Sequence, residues 1–548
     1  MSAHRILLAA VAAFSLAVAG CGGAGGGDAG SGGTLRIGTT DGVDTLNPFV
    51  AANTDSSTLF MQIYPHLVQY DGDLHIAPDF AKSWTVSDGG RTLTFHTASG
   101  GRWSDGKPLT AKDAAYSLNL VLRYASGPTA AMAPFTTAMK SAVAPDATTL
   151  VVTYERAVAN ALAQLQFIPI LPQHVWSQAE GAGGKGLTAF QNAAPVVSGG
   201  AFKLVRYKKG AIALATRNPY FYGPKPKIDG FGLQLYSDAD AMLLALKQGS
   251  LDTVESVAPN ALKSVQDDDG LELLTGPSLL ESILGINVNA ERIGHRELLK
   301  PEVREALSTA IDRSSIIDVA WLGHATPGTS VLPPGTGDWF DDGIPVDAYD
   351  ASAANELLDR LGYARKGDVR YADGHPMSYT VYVVAGVPGA NRTFDILRQN
   401  MQAIGVELNQ KLLDVSAAYA AMAGSDGRFR SFDFVLTNSG SLVDPDFALG
   451  AFTCAQRAGE GGNDPMSYCD PAYDRDYAAQ GAALEAPRRE QIVKRMQRHL
   501  AAARPALVLN YPQTIEAHSK QWDGFVLSPF GSVNPLSRAT LIDVHRTS

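Results

Sequence analysis

Cysteine is scarce in this chain: it has three in 548 residues and no Cys-x-x-Cys, and none of its eleven histidines lies near Cys454 or Cys469 in sequence. The familiar zinc spacings are therefore excluded, and no metal ligand set or cofactor is expected. No run after Ala19 is apolar for long enough to cross lipid. Basic clusters beyond short pairs are missing and the formal charge is −10, which excludes nucleic acid as a partner. Catalytic signatures are missing too: there is no Gly-x-Ser-x-Gly, no His-Glu-x-x-His, and no glycine-rich phosphate loop after a strand. The one Ser-x-x-Lys, Ser104 to Lys107, holds Gly106 and precedes Pro108, so it reads as a turn. Carboxylate runs such as Asp267-Asp268-Asp269 read as solvated surface.

What is present begins at the N-terminus. His4-Arg5, an apolar run from Ile6 to Ala19 and then Val18-Ala19-Gly20-Cys21 resemble a bacterial lipoprotein signal. That pattern implies removal of residues 1–20 and lipidation of Cys21, with several acyl chains giving a stable anchor. From Gly22 to Gly33 the chain is nearly all Gly with Ala, Ser and Asp, a flexible tether whose root-mean-square reach is about 20 Å. The folded part is thus expected outside the cytoplasm, just off the cell membrane. In that oxidising setting Cys454 and Cys469 are an even remainder. They suggest one disulfide worth about 3 kcal/mol, with two free thiols as the alternative.

Hydrophobic residues at 45% and charged residues at 18% describe a globular chain long enough for more than one core. Period-two runs mark strands at 34–38, 149–154, 201–207, 212–216, 231–236, 379–384, 406–412 and 432–437. Helical stripes lie between several of them. Pro301 opens a helix over 302–320, Asp350 caps one ending at Gly362, and Pro487 starts one that stops at Arg504-Pro505. Alternating strands and helices make an α/β chain with partly parallel sheets.

Several segments in register resemble the family 5 solute-binding proteins of ABC importers, the oligopeptide, dipeptide and nickel receptors. They are Asp44-Thr45-Leu46-Asn47-Pro48, Leu67 to Asp71, Pro78 to Trp84, Trp103 to Asp113, Asn218 to Phe221, Val303 to Arg313 and Asp350 to Tyr363. The resemblance implies an α/β, two-lobed periplasmic-binding-protein-like (type II) fold with an extra small α/β domain. The expected division is lobe I from 34–75, 195–287 and 518–548, the extra domain from 76–194, and lobe II from 288–517. It also implies a monomeric, non-enzymatic receptor that closes on a small solute or peptide and delivers it to a permease and its ATPase.

Dipeptide receptors capture the ligand's ammonium with an aspartate three residues before an Asp-Pro-Asp element, here Asp444-Pro445-Asp446. Ser441 stands at that place, after Asn438, Ser439 and Gly440, while Phe452-Thr453-Cys454 and Tyr468-Cys469-Asp470 match the same receptors' disulfide-bearing stretch. The anchor is therefore either Asp444, through a gap in the loop, or missing. If it is missing, a neutral solute such as an oligosaccharide or blocked peptide is favoured, with Trp321, Trp339, Phe340 and Trp522 as candidate sugar platforms. Nickel is the weakest option. The loop from Ser439 to Asp446 and the turn from Thr40 to Asn47, with Asp41 and Asp44, are the expected cleft segments. A secreted hydrolase with an unrecognised site and an adhesion or signalling lipoprotein are the readings of another class.

Overall fold

A computed structural model describes residues 32–528 and 537–547. The leader at 1–20, Cys21 and the tether up to Ser31 lie outside the described residues. The described residues form a single compact unit, built on a mixed sheet of twelve strands. One half of that sheet holds Thr34–Thr39 in parallel register with Gly230–Leu235 and Thr253–Val254. The other half holds Ser378–Val384 parallel to Glu407–Leu413 and to Phe434–Gly440. The long strand Ala506–Ser519 belongs to both halves.

The apolar faces of these strands explain the two main cores. Leu35, Ile37, Phe202 and Phe231 pack with Leu59 and Ile63 of the helix Thr54–Ile63. Val381, Val383, Leu507 and Leu509 pack with Val303, Leu307, Phe394 and Leu397. Each such fully buried side chain contributes about 1.5–3 kcal/mol. The 76–194 segment has a four-stranded antiparallel sheet of its own, in the order Ala81–Ser87, Thr92–Thr97, Thr149–Tyr154, Met139–Val143. Its Phe95, Leu150 and Trp103 nevertheless join the core of Leu35 and Phe231, so this segment shares a core with the half of the sheet that holds Thr34–Thr39.

Most expected strands appear within two residues of their predicted bounds. The helix expected over 302–320 is broken instead: it runs as Pro301–Thr309, then Arg313–Ser315, then a wider-wound turn at Ile316–Ala320. Asp312 causes the break, because its carboxylate accepts from Ser315 N at 3.0 Å while its own N–H donates to Asn400 Oδ1 at 2.9 Å. A side chain that starts a new cap cannot also continue the old helix. The Ser104–Lys107 segment is a turn, with Gly106 at φ +86° and Gly106 N–H bonded to the Trp103 carbonyl.

Candidate functional site

Two chain crossings join the halves of the sheet side by side. Leu271–Pro277 pairs with residues 513–519 of the long strand, and the next strand, Leu280–Ile286, pairs with its residues 506–510. The chain thus passes between the two halves of the sheet at residues 278–279 and again at 511–512, where Pro512 contributes no backbone donor. Ser278 Oγ ties the crossings together by donating to the Pro512 carbonyl at 2.6 Å. Leu280–Ile286 pairs along its whole length with Phe434–Gly440.

The expected cleft loop starts at the end of that strand. Phe434–Gly440 meets Ser378–Val384 only at Phe434, Val435 and Leu436. From Thr437 through Asn438 and Ser439 to Gly440, that edge carries no strand among the described residues. Beside it lie buried polar groups without protein partners. Ser441 donates its N–H to the Leu279 carbonyl, but its Oγ has no partner. Asn438 accepts from Ser282 Oγ at 2.7 Å. Ser282 in turn opposes Asn510, whose carboxamide is fully buried with neither atom paired. A buried polar atom left so costs about 1–3 kcal/mol until something bonds to it.

Asp444 has partners of its own. Arg489 grips it at 2.6 and 2.8 Å, Asn160 Nδ2 reaches it from the 76–194 segment at 3.2 Å, and Asp446 N–H donates at 3.1 Å. The guanidinium also stacks on Trp339 at 4.8 Å and donates to Gln480 at 3.0 Å. This buried bidentate pair braces lobe II against the 76–194 segment and leaves Asp444 little capacity for an incoming ammonium.

Another acid stands closer to the open edge. Glu281 lies directly opposite Ser439 in the ladder and is 3% exposed. The Ser439 hydroxyl is its hydrogen-bond partner, and Oε2 has none. Burial pushes its carboxyl up to about 8, so it is mostly neutral at pH 7 and would ionise beside a cation. Nothing in the sequence pattern marks it: Glu281 interrupts an apolar run, and only the register brings it to Ser439.

The early turn is occupied with local structure. Asp41 accepts from Asp55 N at 3.0 Å and Asp44 from Ser56 Oγ at 2.5 Å, so both hold the start of the helix Thr54–Ile63. Asn47 donates to the carbonyls of Leu187 and Phe190. Behind the turn, Thr39 Oγ1 sits 2.6 Å from both Asp55 and Glu255. One hydroxyl proton cannot serve two carboxylates, so one acid must be protonated; burial and Asp55 push Glu255 up to about 8. The aromatic candidates are also engaged: Arg489 covers one face of Trp339, Phe340 packs edge-on to Tyr511, Arg546 stacks on Trp522, and Trp321 is buried in the lobe II core.

Two α/β lobes joined by paired crossings, with polar groups buried at the junction, define a two-lobed ligand receptor of the type II class. The chain belongs to the bacterial extracellular solute-binding proteins, family 5: the model described as the middle of that family matches residues 75–460. Protein XP55 of Streptomyces lividans is 28% identical, over 92% of this chain and 88% of that protein. The glutathione-binding protein GsiB of Escherichia coli (strain K12) is 24% identical, over 88% of this chain and 90% of its own. Among solved structures, the oligopeptide-binding protein AppA of Bacillus subtilis with a nonapeptide gives a TM-score of 0.75 at 19% identity, over 95% of this chain and 100% of that one. NikZ of Campylobacter jejuni with Ni(L-His) gives 0.78 at 20%, over 94% and 99%. The family is one of binding proteins rather than enzymes, serving ABC importers. No helix among the described residues is long and apolar enough to cross a membrane.

Proposed function

We propose that this chain is a Cys21-anchored receptor that captures a di- or oligopeptide between its lobes and hands it to an ABC permease driven by an ATPase. The observation that carries the reading is the open half-edge from Thr437 to Gly440. A peptide backbone can add there as a further strand, its main chain giving affinity and neighbouring side chains giving selectivity. Asn438, Ser439 and Gly440 supply that edge. Ser441 and Asn510 supply unpaired polar groups beside it, and Glu281 supplies the negative charge that an N-terminal ammonium needs. Asp444 serves as the brace and Asp41 as a helix cap. AppA with its nonapeptide and the Helicobacter pylori DppA with peptide STSA show that this fold holds peptides in other chains. Nothing covalent is required of the protein.

The neutral-solute reading rests on Ser441 standing where dipeptide receptors have an acid. Titrating a tripeptide and its N-acetyl form against the purified protein separates the two. Weaker binding after acetylation supports amine capture, and equal affinity moves the function to blocked peptides or sugars.

A further inference from the structure

The end of lobe II remote from the cleft carries a second constellation. The parallel strands Ser378–Val384 and Phe434–Gly440 run toward the cleft loop, so their starting ends lie about 20 Å away from it at roughly 3.3 Å per residue. At that far end three side chains from two segments converge: His295 and Glu297 from one turn and His375 from a strand, with candidate ligand atoms all within 4.8 Å of one another. We propose that these three residues bind one divalent transition-metal ion, with Zn2+ the best match to the donor set.

The geometry is close to that of a bound ion. Zinc bonds of about 2.0–2.1 Å in a tetrahedral shell set neighbouring ligand atoms about 3.4 Å apart. Here His295 Nδ1 lies 3.3 Å from Glu297 Oε1, and His375 Nε2 lies 3.7 Å from Glu297 Oε2. Glu297 is 1% exposed and its Oε2 has no hydrogen-bond partner, so a buried acceptor points into the cluster.

The outer groups orient the ligands. His375 Nδ1 sits 3.3 Å from the Pro376 carbonyl; donation there leaves the lone pair on Nε2, facing the carboxylate. The Tyr379 hydroxyl donates to Glu297 Oε1 at 2.9 Å and fixes the carboxylate's rotation. The imidazoles form the rim, with side-chain exposures of 26% and 38%, which leaves a route for the ion and room for water as fourth ligand. The nearby Arg292 is matched by Asp433 at 2.8 Å. With neutral imidazoles the cluster therefore keeps one net negative charge, suited to a dication. A metal here would pin the His375–Pro376 strand to the turn at Arg296–Leu299, independently of what the cleft holds.

The test uses the untagged mature chain, stripped with a chelator and titrated with Zn2+ alone against a chromophoric competitor. One ion per chain is expected. Glu297→Gln and His375→Ala should each weaken binding by more than about 100-fold, and Tyr379→Phe by about tenfold. His375→Ala alters a rim residue, and its metal-free unfolding midpoint should match the parent's. Co2+ should give the intense visible bands of a four-coordinate site in the parent and not in His375→Ala. Absence of stoichiometric binding would overturn the proposal. So would binding that survives His375→Ala, or that vanishes instead with His75→Ala at the exposed Asp71, Asp73 and His75 group.

Discussion

Replacing Glu281 by Gln is the most direct probe of the cleft, because the amide copies the neutral acid that burial enforces. The carboxyl rises from its ordinary 4.5 to about 8 on folding. Between those values the folded chain holds a proton that the unfolded chain has lost, so stability is full below about pH 4.5 and drains away as pH rises through 8. At about 1.4 kcal/mol per pH unit, the shift sets a ceiling of about 5 kcal/mol on that loss. Glu281→Gln removes the contribution, so its unfolding free energy should fall less steeply than the parent's between pH 5 and pH 8. Urea unfolding at pH 5, 6.5 and 8 measures it, and parallel profiles for the two proteins would refute the burial argument. Binding supplies a second readout. A peptide ammonium should force Glu281 to ionise, releasing up to one proton at pH 6.5, seen as a buffer-dependent enthalpy in calorimetry. Glu281→Gln should abolish the release and weaken the free-amine peptide by about 10- to 100-fold, the worth of a charge-assisted hydrogen bond. The N-acetyl form should change little. Unchanged release would move the anchor elsewhere while leaving the stability result intact.

Asp444→Ala should cost about 3–5 kcal/mol by leaving Arg489 charged and buried, and Arg489→Met in the same chain should recover part of it. If Asp444→Ala instead folds with unchanged stability and loses discrimination for the free amine, Asp444 is the anchor and Glu281 is not. Breaking the Cys454–Cys469 disulfide, which spans a sequence separation of 15, should lower stability by about 3 kcal/mol; an unchanged denaturant midpoint with reductant would contradict this. Thr39→Val leaves Asp55 and Glu255 without their shared hydroxyl and should destabilise by about 1–3 kcal/mol, a change that equal urea midpoints would disprove.

The sequence reading and the structure differ most where the site lies. Strands with alternating polarity, such as Thr149–Tyr154 and Ile212–Arg217, were readable because one face is buried and the other is not. The crossing strands were missed for the opposite reason. In Ala506–Ser519 nearly every residue is buried, so no alternation shows, and Pro512 in its middle argues locally against a strand. Glu281 and Asn510 sit on those strands and were lost with them. Asp444-Pro445-Asp446 marks the expected cleft loop in the sequence, but sequence distance does not show that Arg489 reaches Asp444 or that Asn160 arrives from the 76–194 segment. His295, Glu297 and His375 were invisible likewise, since only the fold brings the two histidines together.

The energetics of closure follow from what crosses between the lobes. The 76–194 segment meets lobe II through Asn160 on Asp444 and through Ala159 N–H on the Gly481 carbonyl at 2.9 Å. Bonds of this kind are each worth about 0.5–1.5 kcal/mol net. Against them stand Ser441 Oγ, both carboxamide atoms of Asn510 and Glu281 Oε2, all buried without protein partners, each opposing burial by about 1–3 kcal/mol. A guest that bonds to these groups removes the penalty and adds contacts of its own, and that differential affinity is what can drive closure. Selectivity then comes from the same atoms. A ligand that fills the space but leaves Asn510 or Glu281 unpaired keeps the penalty in place, and its affinity falls by the cost of the unpaired group.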